Sequence, residues 1–254
     1  KHHLDTVSVE FRTVLEKSRE IYLMSNGAFD PTVMPLVNLW GFGYKKVKEL
    51  PDTNAVIVTK EEIGFDQVVV SQGVSAPEYI ELGFGAIAKG YGVDLVGDFL
   101  ESKGVHQFII EIGGENLMKG LKPGNKSWTL KILYPDKKKA VLQEGYCGVS
   151  LTDRAMATSG PYAQQKEIEG VKYSHTIDPR TGFPVEQKLL SISVLANDCM
   201  TADGIATALN VMSLVEAKKF LKENPQFEAL LLYEENGKIQ EFATKGFKEI
   251  MFAL

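Results

Sequence analysis

Residues 81–94, ELGFGAIAKGYGVD, set four glycines (Gly83, Gly85, Gly90, Gly92) around Lys89 in a run that is otherwise mostly apolar. Glycine-rich turns cradle phosphates in doubly wound α/β sheets, and each such cradle has its own spacing. Neither spacing is present here. There is no GxGxxG followed by an acidic residue after a second strand about 20 residues on, and no GxxxxGK[ST]. Two readings of the stretch remain open. Its glycines let a backbone approach a ligand where a helix starting near Ala86 offers N–H groups to phosphate, or they only permit a tight strand-to-helix junction. A lysine between Ala88 and Gly90, in apolar surroundings, favours the first.

Outward from this stretch, Ile87, Tyr91, Leu95 and Phe99 recur at helical spacing, predicting a helix over 87–100 that Gly104 closes. HQFIIEIGG (106–114) reads as a strand running into a glycine turn. Upstream, residues 6–24 read as an amphipathic helix stopped by Asn26-Gly27, and Val56–Val58 and Val68–Val70 as short strands. Downstream, SWTLKILYP (127–135) and YCGVSL (146–151) are strand-like, with a polar turn at Thr152–Arg154. LSISVLA (190–196) alternates as a strand does, ADGIATALNVM (202–212) and VEAKKFLKEN (215–224) have helical spacing, and residues 228–244 form a hairpin turning at Asn236-Gly237. Strands and helices mix without a βαβ rhythm, so the fold class is α+β.

The chain has 254 residues with a net charge of -5, enough to bury a substantial core and without the basic excess that marks nucleic-acid binding. No apolar run approaches the roughly 18 residues of a membrane span. Cys147 and Cys199 lack CxxC spacing and read as buried free thiols.

Four segments hold candidate chemistry. Asp203 and Thr207 lie four residues apart on a predicted helix, so a carboxylate and a hydroxyl share one face, a donor pair suited to Mg2+. An Asp early in a helix also serves as a cap, and a mid-helix Thr bonds back to its own backbone. His175, in the turn-rich SHTIDPRTGFP (174–184), is either a general base or structural. ATSGPY (157–162) gathers the hydroxyls of Thr158, Ser159 and Tyr162 but does not match the GxSxG elbow. Asp30, fixed before Pro31, either grips a ligand or caps the following turn.

In order along the chain, GAFDPTVMPLVNLWGFG (27–43), GAIAKGYGVD (85–94), EIGGE (111–115), ATSGPY, YSHTIDPRTGFP (173–184) and TADGIATAL (201–209) resemble the ApbE-like FAD:protein FMN transferases. The resemblance covers roughly residues 20–215. It implies Mg2+-dependent transfer of FMN from FAD to a threonine or serine hydroxyl of a target protein with release of AMP. FAD hydrolysis, or flavin binding without turnover, are the alternative readings. It further implies a T-fold-like α+β domain spanning 1–254, with an FAD cleft between two lobes. The expected partner is a flavin-accepting protein such as a subunit of a membrane redox complex, in an exported or periplasmic setting, with a lipid anchor on a preceding segment in some members. By position, Asp203, Thr207 and the carbonyl of Ala86 match the Mg2+ ligands. Ala28, Phe29 and Asp30 match flavin contacts, Lys89 a residue near FAD, Thr176 and Ile177 the adenosine-holding stretch, and His175 the catalytic base.

Two departures stand out. Nothing here matches the several dozen residues with which family members usually begin and which complete the FAD pocket. Gly83 also stands where the family has an Asp, six residues before the lysine of AKG, so weaker or altered FAD use is expected.

Overall fold

The computed structural model describes residues 2–44, 47, 49–133, 135, 145–160, 165–168, 171–185 and 189–254. The elements of the first half are β1 (His2–Leu4), α1 (Val9–Met24), α2 (Met34–Leu39), α3 (Thr53–Lys60), β2 (Val69–Val70), β3 (Val74–Ala76), α4 (Ala88–Ser102), β4 (Phe108–Ile112), β5 (Glu115–Lys119) and β6 (Trp128–Leu133). They continue with β7 (Gly145–Leu151), β8 (Arg154–Ser159), β9 (Gln165–Ile168), β10 (Val171–Ser174), β11 (Leu189–Ala196), α5 (Cys199–Val211), α6 (Leu214–Glu223), β12 (Glu228–Glu235), β13 (Lys238–Ala243), α7 (Lys245–Ile250) and β14 (Met251–Phe252). Every described strand pair is antiparallel, which makes the fold α+β as the sequence predicts. The chain divides into two units, Lys1–Ala86 with Gln164–Glu186, and Ile87–Ala163 with Gln187–Leu254.

The first unit carries the sheet β1-β3-β2 and the hairpin β9–β10. Helix α1 starts on a Ser8 cap and ends where Asn26 and Gly27 turn to positive φ, the stop that its sequence announces. Residues 56–58 depart from expectation, lying in α3 and not in a strand. Asp52 caps that helix by accepting from the Ala55 N–H at 2.8 Å, and only Val56 is buried while Ile57 and Val58 face solvent. The cap and the one-sided burial outweigh the strand preference of three β-branched residues. One core of this unit gathers Leu36, Trp40, Val56, Ile63 and Ile177.

The second unit is built on a six-stranded sheet, β13-β12-β11-β8-β5-β4, with a smaller sheet, β14-β7-β6. β11, read as alternating, is buried along its whole length because it lies inside the large sheet with packing on both faces. On one face lie α4 and α5. On the other, Met118, Met156, Leu195, Leu230 and Leu232 join Ile132, Val149 and Leu151 in the main core. The predicted hairpin closes through Asn236-Gly237, and the strand predicted to run into a glycine turn forms a second hairpin, β4–β5, through Gly113-Gly114, all four residues at positive φ. Cys147 and Cys199 are free and buried, and burial pushes the Cys147 thiol up to about 11.

Helix α4 begins at Ala88, one residue later than the predicted 87, behind a turn at 85–87. It meets α5 at Gly90. A Cβ there would lie 2.3 Å from the Cys199 carbonyl oxygen and 2.8 Å from the Met200 Cα, so the helices approach backbone to backbone. Gly90→Ala is expected to destabilise the protein by about 1–3 kcal/mol or more, since the obstacle is main chain and cannot rotate away. Urea unfolding checks this, and an unchanged midpoint contradicts it.

Candidate functional site

In the second unit, the N-terminus of α5 is held by two carboxylates. Asp198 caps its own helix by accepting from the Thr201 N–H at 2.7 Å. Asp94, two turns of α4 from the start of that helix, accepts from the N–H groups of Cys199 and Met200, each at 2.8 Å. Negative charge at a helix N-terminus is favoured by the exposed N–H groups and the dipole. This fastening fixes the first turn of α5, and Asp203 sits one turn further in.

Asp203 is 3% exposed and its Oδ2 accepts the Gly90 N–H at 3.1 Å. Burial, with the charge of Glu115 adding to it, pushes its carboxyl up to about 6, against the opposing pull of the Gly90 N–H and the Lys89 ammonium. Thr207 is the one residue of α5 that is not buried. The helix therefore opens to its surroundings one turn beyond the buried carboxylate. Lys89 projects from the first turn of α4 and pairs with Glu115 at 2.6 Å, the lysine half-exposed and the glutamate almost wholly buried. Among the described residues no group of three or more His, Cys, Asp or Glu is placed to hold a metal. The donors present fit Mg2+ all the same. A buried carboxylate whose ionisation is costly gains from a cation, and a hydroxyl one turn away adds a second hard oxygen, leaving room for water and phosphate ligands.

In the first unit, GAFD forms the exit of α1. Ala28 and Phe29 are buried, and the Phe29 N–H donates to the Ser25 hydroxyl at 3.0 Å. Asp30 Oδ1 accepts from the Thr32 N–H at 2.8 Å and the Thr32 hydroxyl at 2.6 Å, so it does cap the turn it precedes; burial pushes its carboxyl up. The Gly83 N–H donates to the Pro31 carbonyl at 2.8 Å, which ties Gly83 to the same loop. A Cβ at Gly83 would meet only the end of the Met34 side chain, at 3.1 Å.

SHTIDPRTGFP is anchored in the same unit. The Thr176 N–H donates to the Ser174 hydroxyl at 3.1 Å, and Ile177 bridges to Pro184 while its side chain enters the core. The Asp178 carboxylate holds the Arg180 side chain and its N–H. The Trp40 indole donates to the Gly182 carbonyl at 2.9 Å, and Gly182 takes φ +85. His175 thus stands, partly buried, on a loop with little freedom. The predicted residues fall into two groups: Ala28, Phe29, Asp30, Gly83, Ala86, His175, Thr176 and Ile177 in one unit, and Lys89, Asp203 and Thr207 in the other.

Of the hydroxyls of ATSGPY, Thr158 and Ser159 lie in β8 and Tyr162 lies outside the described residues. Asp94 and Glu115 have roles that the sequence reading did not assign. Each had a signal, an acid on the apolar face of a helix and an acid directly after a Gly-Gly turn.

The ApbE family matches residues 1–231. A FAD:protein FMN transferase of Vibrio cholerae is 36% identical over 248 residues, covering 96% of this chain and 73% of that protein. One of Haemophilus influenzae is 33% identical, covering 96% and 72%. The structure of the flavin transferase ApbE from Vibrio cholerae superposes with a TM-score of 0.85 at 35% identity, over 96% of this chain and 78% of that one. The apo form of the Pseudomonas stutzeri flavinyl transferase ApbE gives 0.85 at 30% identity, over 98% and 77%.

Asp94, like Asp203, has its carboxyl pushed up to about 6, with burial the largest cause. A carboxyl that titrates higher in the folded protein than in the unfolded chain favours the folded state at low pH. That contribution is lost as pH rises from about 4 to about 6. Metal-free protein is expected to lose urea resistance across this window, and Asp94→Asn to show a shallower loss. Midpoints measured at pH 4, 5 and 6 check this; an equally steep variant contradicts it.

Proposed function

The chain belongs to the ApbE family, and from that membership we propose that it transfers FMN from FAD to a hydroxyl of a target protein and releases AMP. The observation that carries this reading beyond the family is the buried carboxylate of Asp203, fastened through Gly90, with the partly exposed Thr207 one turn along the same helix. Asp203, Thr207 and the Ala86 carbonyl are the proposed Mg2+ ligands. When bound, the metal would neutralise charge on the pyrophosphate.

The remaining roles fall to the chain's own groups. Lys89, oriented by Glu115, adds positive charge for phosphate oxygens. The loop carrying Ala28, Phe29, Asp30 and Gly83 binds flavin, and Thr176 with Ile177 holds the adenosine end. His175 takes the proton of the acceptor threonine or serine as its oxygen attacks the FMN-side phosphorus. The bond from that phosphorus to the bridging oxygen breaks, and AMP leaves with that oxygen. The rigidity of the Asp178–Phe183 turn suits the base, because proton transfer depends on a held geometry. The resemblance also supports an exported, periplasmic setting, lipid-anchored in part of the family, with a subunit of a membrane redox complex as acceptor. Among the described residues no helix is long and apolar enough to cross a membrane.

Incubation with FAD, Mg2+ and an acceptor protein is expected to give a fluorescent acceptor band and an equal amount of AMP. AMP and FMN without an acceptor would identify a hydrolase, and tight FAD binding without AMP a binding protein. Asp203→Ala is expected to abolish transfer while the urea midpoint stays at or above that of the wild type, because it removes a costly buried charge. His175→Gln is expected to slow transfer by about 10^2–10^4-fold. Retained activity in either variant contradicts the assigned role.

Gly83→Asp tests the departure from the family pattern. A Cβ at this position crowds only the flexible end of Met34, and a carboxylate restored as a flavin acceptor is worth about 1.5 kcal/mol, or roughly tenfold in the KM for FAD. An unchanged or higher KM contradicts this.

A further inference from the structure

The second unit contains a cleft of about 460 Å3 that none of the assigned roles uses. Its floor is the face of the large sheet opposite α4 and α5, where Asn116, Thr158 and Ser191 take the place of core hydrocarbon. Asn116 is 6% exposed, and its Nδ2 donates to the Gly114 carbonyl at 2.7 Å. Its Oδ1 is buried with no hydrogen-bond partner. A buried amide oxygen left unpaired is costly, so a donor from a ligand is the natural completion of this floor.

One wall of the cleft is β6. Leu130, Lys131, Ile132 and Leu133 all line it. Side chains of consecutive strand residues point to opposite faces, so four in a row line one cleft only where it runs along the edge of the strand. β6 pairs with β7 alone among the described residues, so this edge offers backbone N–H and C=O groups in a row. The opposite wall is the β4–β5 hairpin, with Glu111, Gly113 and Gly114. Glu111 and Lys131, one on each wall, are exposed and of opposite charge.

We propose that this cleft seats an extended segment of the flavin-accepting protein, added as a strand along the β6 edge, with a backbone N–H or a side-chain hydroxyl of the segment donating to Asn116 Oδ1. A strand edge recognises main chain of any sequence, and the single orphan acceptor with its two flanking charges fixes register. A strand-shaped ligand uses all of these features. The cleft meets the candidate chemistry at the β4–β5 turn, where Gly113 lines it and a Cβ at Gly113 would stand 3.5 Å from the Lys89 Cδ. The inference rests on the proposed transferase activity for the identity of the occupant.

The test uses the full chain, with the acceptor protein of the Vibrio cholerae relative as probe. Hydrogen–deuterium exchange is followed at residues 130–133 with and without the acceptor, and transfer is measured against acceptor and FAD concentration separately. The expected result is slowed exchange at these amides. Asn116→Ala and the surface variant Lys131→Glu should each raise the KM for acceptor roughly tenfold, leaving the KM for FAD within twofold. Protection without any transfer by the wild type would keep the docking site and remove the transferase reading. Transfer without protection, and with an unchanged acceptor KM in Lys131→Glu, would overturn the docking site and keep the transferase. A change in the KM for FAD alone would also overturn it, since the cleft would then hold flavin.

Discussion

The second unit depends on the contact between α4 and α5 at Gly90. Because residue 90 has no side chain, its N–H reaches the carboxylate of Asp203 and the two helix backbones touch. One turn along, Asp94 crosses the same gap to bind the first two N–H groups of α5. The two links act together. Asp94 fixes where α5 starts, Gly90 fixes how near it comes, and Asp203 is consequently held inside the unit as a carboxylate that resists ionisation. A carboxylate kept in that condition suits a bound cation, which would relieve what folding has left unfavourable.

The first unit achieves rigidity by other means. Its two functional loops are each fastened, the GAFD loop by hydrogen bonds to Ser25, Thr32 and Gly83, and the His175 loop by Ile177 in the core, Trp40 and the Asp178–Arg180 pair. Hydrogen bonds of this kind contribute about 1 kcal/mol each. Their larger effect is to leave few alternative conformations to segments with little regular structure. In the second unit Gly90 and Asp94, which take no part in the chemistry, place Asp203, whereas in the first unit Gly83 and Ile177 both fasten the loops and belong to the proposed binding set.

Much of this was legible in the sequence for identifiable reasons. Elements with a local signal were found: α1 through its Asn26-Gly27 stop, β4 and its turn through Gly113-Gly114, the last hairpin through Asn236-Gly237, and α5 through its helical spacing. Residues 56–58 misled because β-branched residues suggest a strand, whereas the deciding information was the Asp52 cap outside the triplet. β11 showed alternation that its surroundings erase, since burial on both faces depends on partners distant in the chain. The same limit applies to the site. Asp203 and Thr207 stood out because their relation is local, four residues on one helix. Asp94 and Glu115 did not, because each acquires its role from a partner 26 to 106 residues away. In the stretch 81–94, Gly90 proved to be a packing glycine, while Gly83 is tied to Pro31 and a Cβ there would meet only the flexible end of Met34 closely.

The metal assignment joins the burial of Asp203, the exposure of Thr207 and the family's reaction into one account. Its most direct test is a crystal of this chain soaked with FAD and Mn2+, which takes oxygen ligands as Mg2+ does and is located by its anomalous scattering. The account predicts one strong peak bonded to the Asp203 carboxylate, the Thr207 hydroxyl, the Ala86 carbonyl and an oxygen of the FAD pyrophosphate. FAD bound with no peak beside Asp203, or with the metal held by other residues, would contradict it.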